Sequence, residues 1–212
     1  MNQLVLEEIS IAAPDAPSSL ISDLSLTVAP GEIVTIMGRS GIGKSTLLSF
    51  IGGHLGRGFS ASGTVRIGGR DITDTPAEKR KIGILFQDDL LFPHLSVGDN
   101  LAFGLSANVK GRKERRRCVE QALKSAGLDG FADRDPATLS GGQRARVALM
   151  RTLLARPDAL LLDEPFSTLD NGLREDIRQF VFAHGKDQRL PVLMVTHDEA
   201  DAAAAGGRRL LL

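Results

Sequence analysis

Glu32-Ile33-Val34-Thr35-Ile36-Met37, followed by Gly38-Arg39-Ser40-Gly41-Ile42-Gly43-Lys44-Ser45-Thr46, is the stretch that decides the fold. The opening run is β-branched and apolar and ends at glycine, which suits a buried strand. Gly38 to Ser45 matches the pattern G-x-x-x-x-G-K-[ST], and an apolar helical pattern from Lys44 to Ile51 follows. The residue types have a physical logic. Glycines let the backbone bend so that successive N–H groups point into one concavity, where phosphate oxygens fit. The helix start adds its partial positive charge. Lys44 brings a mobile cation to the β- and γ-phosphates, and the Ser45 hydroxyl suits Mg²⁺.

A second stretch completes this chemistry. Ala159-Leu160-Leu161-Leu162-Asp163-Glu164-Pro165 is an apolar strand ending in two acids. A strand apolar on both faces belongs in the middle of a parallel sheet. Its C-terminal end is where open α/β sheets place ligands. Asp163 there can hold Mg²⁺, and Glu164 can polarise a water for attack on the γ-phosphate.

Outward from these two stretches, strands are expected at Leu4–Ile11, Leu24–Val28, Gly63–Gly69, Lys81–Phe86, Pro191–Val195 and Arg208–Leu212. A loop is expected over Ala12–Ser19, which carries two prolines and two serines. Between Gln87 and about Arg156 strand signals vanish. Helical patterns take over at Ser96–Leu105, Glu114–Ala126 and Gly141–Ala155, and a further helix is expected over Asn171–Ala183. This order describes an α/β fold: a mixed-sheet core, an N-terminal antiparallel β subdomain and an inserted α-helical subdomain. The basic run Lys110–Arg117 reads as the solvated start of a helix.

Composition narrows the function. The chain has 212 residues with 26 Lys+Arg against 26 Asp+Glu, so bulk electrostatics will not hold nucleic acid. It has nine Phe but no Trp and no Tyr, which argues against base-stacking platforms and membrane-interface belts. Its one cysteine, Cys118, has no internal partner and fits a reducing compartment. No signal peptide and no apolar run of membrane-spanning length are read. His54, His94 and His184 lack metal-ligand spacing, so no metal beyond Mg²⁺ is expected.

Leu139-Ser140-Gly141-Gly142-Gln143 reads LSGGQ and opens a helix between the two nucleotide stretches. With them, it resembles the ATP-binding subunit of bacterial ABC (ATP-binding cassette) transporters, and the resemblance covers nearly the whole chain. Gln87 matches the family's glutamine at the junction of core and helical insertion, Ser167-Thr168-Leu169-Asp170 its D-loop, and His197 its switch histidine. The resemblance implies one ABC ATPase domain over residues 1–212, with a core at about 1–86 and 157–212 and a helical subdomain at about 87–156. It implies hydrolysis of ATP and water to ADP and phosphate, with Glu164, His197 and Gln87 catalytic. Residues Gly38 to Thr46, Ser140, Gly141, Gly142, Gln143 and Asp170 would bind ATP, and Ser45, Gln87 and Asp163 would attend Mg²⁺. LSGGQ would cover the γ-phosphate held by a second copy, giving a head-to-tail ATP-sandwich homodimer with Lys44 and Ser140 on opposite sides of each site.

The apolar loop Asp88–Leu95 would receive a cytoplasmic helix of a transmembrane permease. The implied setting is peripheral, on the cytoplasmic face of the inner membrane, with permease subunits, a possible solute-binding protein and no nucleic acid as partners. LSGGQRARVALMRTLLARP resembles the signature helix of importer subunits; an export complex and a soluble non-transport ATPase are the alternatives. The DNA-repair type is disfavoured, because no sustained heptad lies between Lys44 and Leu139. The intact Lys44, Asp163 and Glu164 disfavour a catalytically dead domain.

One departure stands out. The family usually stacks an aromatic residue on adenine, and the matching region here is Ile11-Ala12-Ala13; the first aromatic in the chain is Phe50. Base–aromatic stacking contributes about 1–3 kcal/mol per base. Its loss weakens nucleotide binding roughly 5- to 150-fold. ATP and GTP should therefore both be turned over with little preference, as parallel steady-state measurements will show; strong ATP preference at low-micromolar affinity would overturn this.

Overall fold

The computed structural model describes residues 2–14 and 18–212. Residues 15–17 of the expected Ala12–Ser19 loop lie outside the described residues. The chain forms two compact units. The first comprises Met1–Ile84, Asp158–Glu164 and Phe182–Leu212, and the second Leu85–Pro157 and Pro165–Val181.

The first unit contains a four-stranded antiparallel sheet in the order β2-β1-β4-β5, from β1 (Leu4–Ala12), β2 (Ile21–Val28), β4 (Ser60–Ile67) and β5 (Arg70–Asp71). The strand β1 shows why pattern alone is insufficient. Leu4, Leu6, Ile9 and Ile11 are all buried, although the step from Leu6 to Ile9 breaks the two-residue period. The register with both neighbours shifts there, and Glu8 sits at φ 53°. This bulge returns Ile9 and Ile11 to the core face. Opposite it, a side chain on Gly63 (φ 100°) would lie 2.6 Å from the Glu8 carbonyl oxygen, so only glycine fits.

A five-stranded sheet follows, in the order β6-β7-β8-β3-β9, from β3 (Ile33–Met37), β6 (Ile82–Leu85), β7 (Ala159–Asp163), β8 (Val192–Thr196) and β9 (Arg208–Leu211). β3 pairs in parallel with β8 and β9, and β7 in parallel with β8. The antiparallel N-terminal sheet expected from the sequence is thus present, separate from the sheet that carries these parallel pairings. Every residue of β3 and β8 is buried, which is why both read as unbroken apolar runs. The register puts Met37 opposite Thr196 and Asp163 opposite Val195, so three adjacent strands end together. The helix α1 (Lys44–Gly52) packs Leu47, Leu48 and Ile51 into a core shared with Val34, Ile36, Leu161 and Val195 and with the inner face of β1.

The second unit holds α2 (Val97–Phe103), α3 (Arg112–Ser125) and α4 (Gly141–Leu154), close to the expected spans. α5 (Asn171–Asp187) runs one turn past its expected end. α6 (Glu199–Ala205) was not anticipated; Asp198 caps it, accepting from the Ala200 and Asp201 N–H groups. Among the described residues, no helix is long and apolar enough to cross a membrane.

Arg80 anchors the far end of α1. It is 5% exposed, and its guanidinium donates to the carbonyls of Phe50 (3.0 Å), Ile51 (2.8 Å), Thr75 (2.7 Å) and Thr73. A cation at a helix C-terminus also complements the helix dipole. Arg80→Met removes the guanidinium donor from these carbonyls and should lower stability by about 3 kcal/mol, measured as a shift in the urea midpoint.

Candidate nucleotide-binding site

The loop Gly38–Gly43 leaves the C-terminal end of β3 and turns into α1. Gly41 (φ 83°) and Gly43 (φ 104°) take left-handed backbone conformations that turn the chain sharply. Gly43 is the N-cap of α1 and supplies no side-chain hydrogen bond to it. The N–H groups of the first turn are therefore available to an anion, in the field of the helix dipole.

Lys44 is 5% exposed and curls back over the loop. Its Nζ donates to the carbonyls of Gly38 (2.7 Å) and Arg39 (3.1 Å) and lies 3.9 Å from Glu164 Oε1. Ser45 Oγ donates to Asp163 Oδ1 at 2.8 Å. The other oxygen of Glu164, Oε2, lies 2.6 Å from His197 Nδ1. Glu164 itself sits at φ 47°, with its N–H on the Val195 carbonyl at 3.0 Å. A non-glycine residue in this left-handed region stays there only because its surroundings hold it, and such positions cluster at functional sites. Burial pushes the Asp163 carboxyl above its ordinary value and the Glu164 charge adds to this, while the Ser45 hydrogen bond, Lys44 and His54 oppose it.

The structure thus brings Lys44, Ser45, Asp163, Glu164 and His197 together within the first unit. Gln87, Ser140 to Gln143 and Asp170 belong to the second. Gln87 is exposed, at a bend after β6. Ser140 caps α4: its Oγ accepts from the Gln143 N–H at 3.3 Å, and Gln143 Oε1 accepts from the Ser140 N–H at 3.0 Å. Gln143 is therefore a capping residue here, a role signalled by the spacing S-x-x-Q and missed in the sequence reading. Asp170 caps α5 through Oδ1, accepting from Gly172 (3.1 Å) and Leu173 (3.0 Å). Neither the left-handed backbone of Glu164 nor the Gly38 and Arg39 carbonyls that hold Lys44 leaves a signal in residue types. Ile11 and Ala12, where an aromatic was sought, help line a cavity of about 320 Å³ with Ser10, Ser19, Ser60 and Ser62.

A helix mouth without a cap, with one buried cation inside it, is how P-loop nucleotide-binding domains receive a triphosphate. The sequence model of the family described as ABC transporter matches residues 21–167, and the chain belongs to that family. It is accordingly an ATP-binding, ATP-hydrolysing subunit of the transport type. It is 50% identical over 201 residues to an uncharacterized ABC transporter ATP-binding protein, YnjD, of Escherichia coli (strain K12), spanning 95% of this chain and 91% of that one. It is 47% identical to the thiamine import ATP-binding protein ThiQ of Jannaschia sp. (strain CCS1), over 88% of this chain and 80% of the relative. It is 42% identical to the Fe(3+) ions import ATP-binding protein FbpC 1 of Rhizobium meliloti (strain 1021), over 91% of this chain but only 54% of that longer protein.

The raised Asp163 carboxyl makes the ligand-free site pH-sensitive. Below its ordinary value of 3.8 the group is protonated both folded and unfolded. As pH climbs from there through the raised folded-state value, the unfolded chain releases the proton first, and folding loses stability. Asp163→Asn cannot ionise, so in EDTA without nucleotide its stability relative to the parent should rise through that window and then level off. Urea midpoints across a pH series measure this; a difference that does not vary with pH would show that burial does not act on Asp163.

Proposed function

We propose that this chain energises solute import through partner permease subunits, as a head-to-tail pair of copies with two ATP molecules between them. The relatives whose names specify import, for thiamine and for Fe(3+) ions, support the direction of transport. On this reading the 212 residues form one ATPase domain, peripheral on the cytoplasmic face of the inner membrane and possibly served by a solute-binding protein.

The observation that carries the catalytic assignment is the placement of Glu164. Its carboxylate lies between Lys44 and His197, next to the residue that receives the Ser45 hydrogen bond. Lys44 leaves the Gly38 and Arg39 carbonyls for the β- and γ-phosphates, and the α1 N–H groups complete the cradle. Glu164 takes a proton from the water whose oxygen bonds to the γ-phosphorus, while the bond to the β-phosphate oxygen breaks and ADP departs. His197 orients Glu164 and reaches the γ-phosphate. The Ser45 hydroxyl and Asp163 carboxylate are hard oxygen donors side by side, a pair that suits Mg²⁺. Mg²⁺ held by them would offset charge on the phosphates. Gln87 keeps a sensing role, Ser140 to Gly142 cover the γ-phosphate of the partner copy, and Asp170 links the two sites. The serine-lined cavity beside Ala12 offers the base no aromatic wall, in keeping with relaxed base choice.

Glu164→Gln keeps shape but cannot take the proton. It should bind ATP, lose turnover by about 10² or more, and accumulate as an ATP-bound dimer on gel filtration. Turnover at the parent rate would place the base elsewhere.

A further inference from the structure

The basic run that opens α3 is solvated, and it is also one-sided. Between Lys110 and Lys124 the chain carries seven cationic residues and two carboxylates, in a protein whose formal charge is zero. Val119, Ala122 and Leu123 bury one face of the helix. Lys113, Arg117 and Lys124 follow one another along the opposite, exposed face, in a row about 17 Å long. Lys110 stands exposed just before it, and Arg112 and Arg116 are exposed at its flank. Arg116 and Arg117 pair with Glu120 and Glu114, each at 2.8 Å, but such solvated pairs are weak. Among the described residues, Lys110, Arg112, Lys113 and Lys124 have no ion-pair partner.

Arg115 is the exception and serves as an anchor. It is half-buried and donates to the carbonyls of Ala102 at 2.7 Å and Val109 at 3.4 Å. This fixes the start of α3 against the end of α2. Phe103, the last residue of α2, is 70% exposed and meets Phe92 edge-on, with ring centres 4.7 Å apart. Phe92 belongs to the loop 88–95. The cationic stripe is therefore held beside an apolar surface that the proposed function turns toward a permease.

The kind of partner follows from how the charges are spread. A groove of about 630 Å³ between α2 and α3 has Arg112, Arg115 and Arg116 on its wall, but Asp99, Glu120 and Asp133 line it too. It offers a small anion no net charge. The outward cations do not converge on a point; they form a row of separate, flexible side chains. Such a row suits many anions spread over a plane, as in a leaflet of anionic phospholipids, where each nearby Lys or Arg adds to the attraction. α3 has no aromatic residue to stack on a base, which disfavours nucleic acid.

We propose that the outer face of α3 is a membrane-contact surface, on which Lys110, Lys113, Arg117 and Lys124 lie against anionic phospholipid headgroups beside the permease. The proposal rests on the reading that the chain works at a membrane. Its contribution is to hold and orient the subunit at the leaflet by charge, leaving the apolar loop to the permease.

The test is co-sedimentation of the isolated subunit with vesicles, either pure phosphatidylcholine or equal parts phosphatidylcholine and phosphatidylglycerol. The parent should bind the anionic vesicles and not the neutral ones, and raising the salt concentration should release it. The triple variant Lys110→Gln, Lys113→Gln, Lys124→Gln should lose affinity for them by about a hundredfold, roughly fivefold per charge, with melting temperature and basal ATP turnover unchanged. Equal binding to both vesicles, no binding to either, or parent-like affinity in the variant would overturn the proposal. So would release by inorganic phosphate beyond that by chloride at equal ionic strength, which marks a discrete anion site, or a DNA duplex bound as tightly as the anionic vesicles. Recovery of a permease through a tag on this chain checks the membrane reading separately. Permease recovered with lysine-independent vesicle binding sinks the proposal alone; lysine-dependent vesicle binding without a permease supports it and sinks the permease reading.

Discussion

The first N–H groups of any α-helix have no partner within the helix, and at the start of α1 no side chain caps them. The surrounding sequence is organised by that single constraint. Gly43 must be glycine, because its backbone is left-handed and a side chain there would press on Leu20 at 3.1 Å. Lys44 must fold back, because a buried ammonium requires acceptors, and the loop carbonyls are the nearest. At the other end of the helix, Arg80 donates to the last-turn carbonyls of Phe50 and Ile51. The two ends receive opposite treatment: one is saturated by a permanent cation, and the other is kept for an anion. α4 shows the contrast. It also begins with glycines, but Ser140 and Gln143 close its first turn with a capping box, so part of its donor set is already spent. Of the two glycine-rich helix starts, α1 is the stronger anion site when the chain is alone.

Around that helix mouth the charges are arranged so that none is stable by itself. Lys44 faces Glu164 at a distance too long for a hydrogen bond, and Glu164 is shared with His197. Burial pushes the Asp163 carboxyl above its ordinary value. Removing Glu164 leaves the buried Lys44 ammonium without its carboxylate, a costlier change than the loss of an exposed ion pair. The backbone at Glu164 adds conformational strain. A triphosphate brings negative charge to Lys44 and to the α1 N–H groups, so the site is completed by the ligand rather than by its own side chains.

Much of this was legible in residue types. Strands buried on both faces announce themselves as apolar runs, and β3, β7 and β8 were placed to within a residue or two because nothing else in the chain looks like them. The phosphate loop and the Asp163–Glu164 pair were equally plain, since their chemistry demands particular residues at fixed spacing. Features set by backbone geometry were not. The bulge at Glu8 reads as a fault in the alternation of β1, and only the opposing Gly63 shows it to be built in. The short helix α6 was hidden by its length and by its alanines, although Asp198 before it and Gly206 after it are ordinary cap residues. The strand order of the second sheet, with β3 between β8 and β9, depends on which strands meet, a question of chain topology that local pattern does not answer.

The composition that first excluded stacking platforms bears most directly on the nucleotide. Ile11 and Ala12, with the serines beside them, line their cavity without a ring that could stack on a base. The helix mouth has a buried lysine and a histidine drawn onto the Glu164 carboxylate. On the proposed reading, binding energy is concentrated on the part of the nucleotide that hydrolysis changes, and little of it on the part that hydrolysis leaves intact. A site weighted in this way distinguishes triphosphate from diphosphate more sharply than a site with strong base contacts of equal total affinity, because contacts common to both forms cannot discriminate between them. Such weighting would suit the proposed pairing of two copies, in which nucleotide state drives association and release.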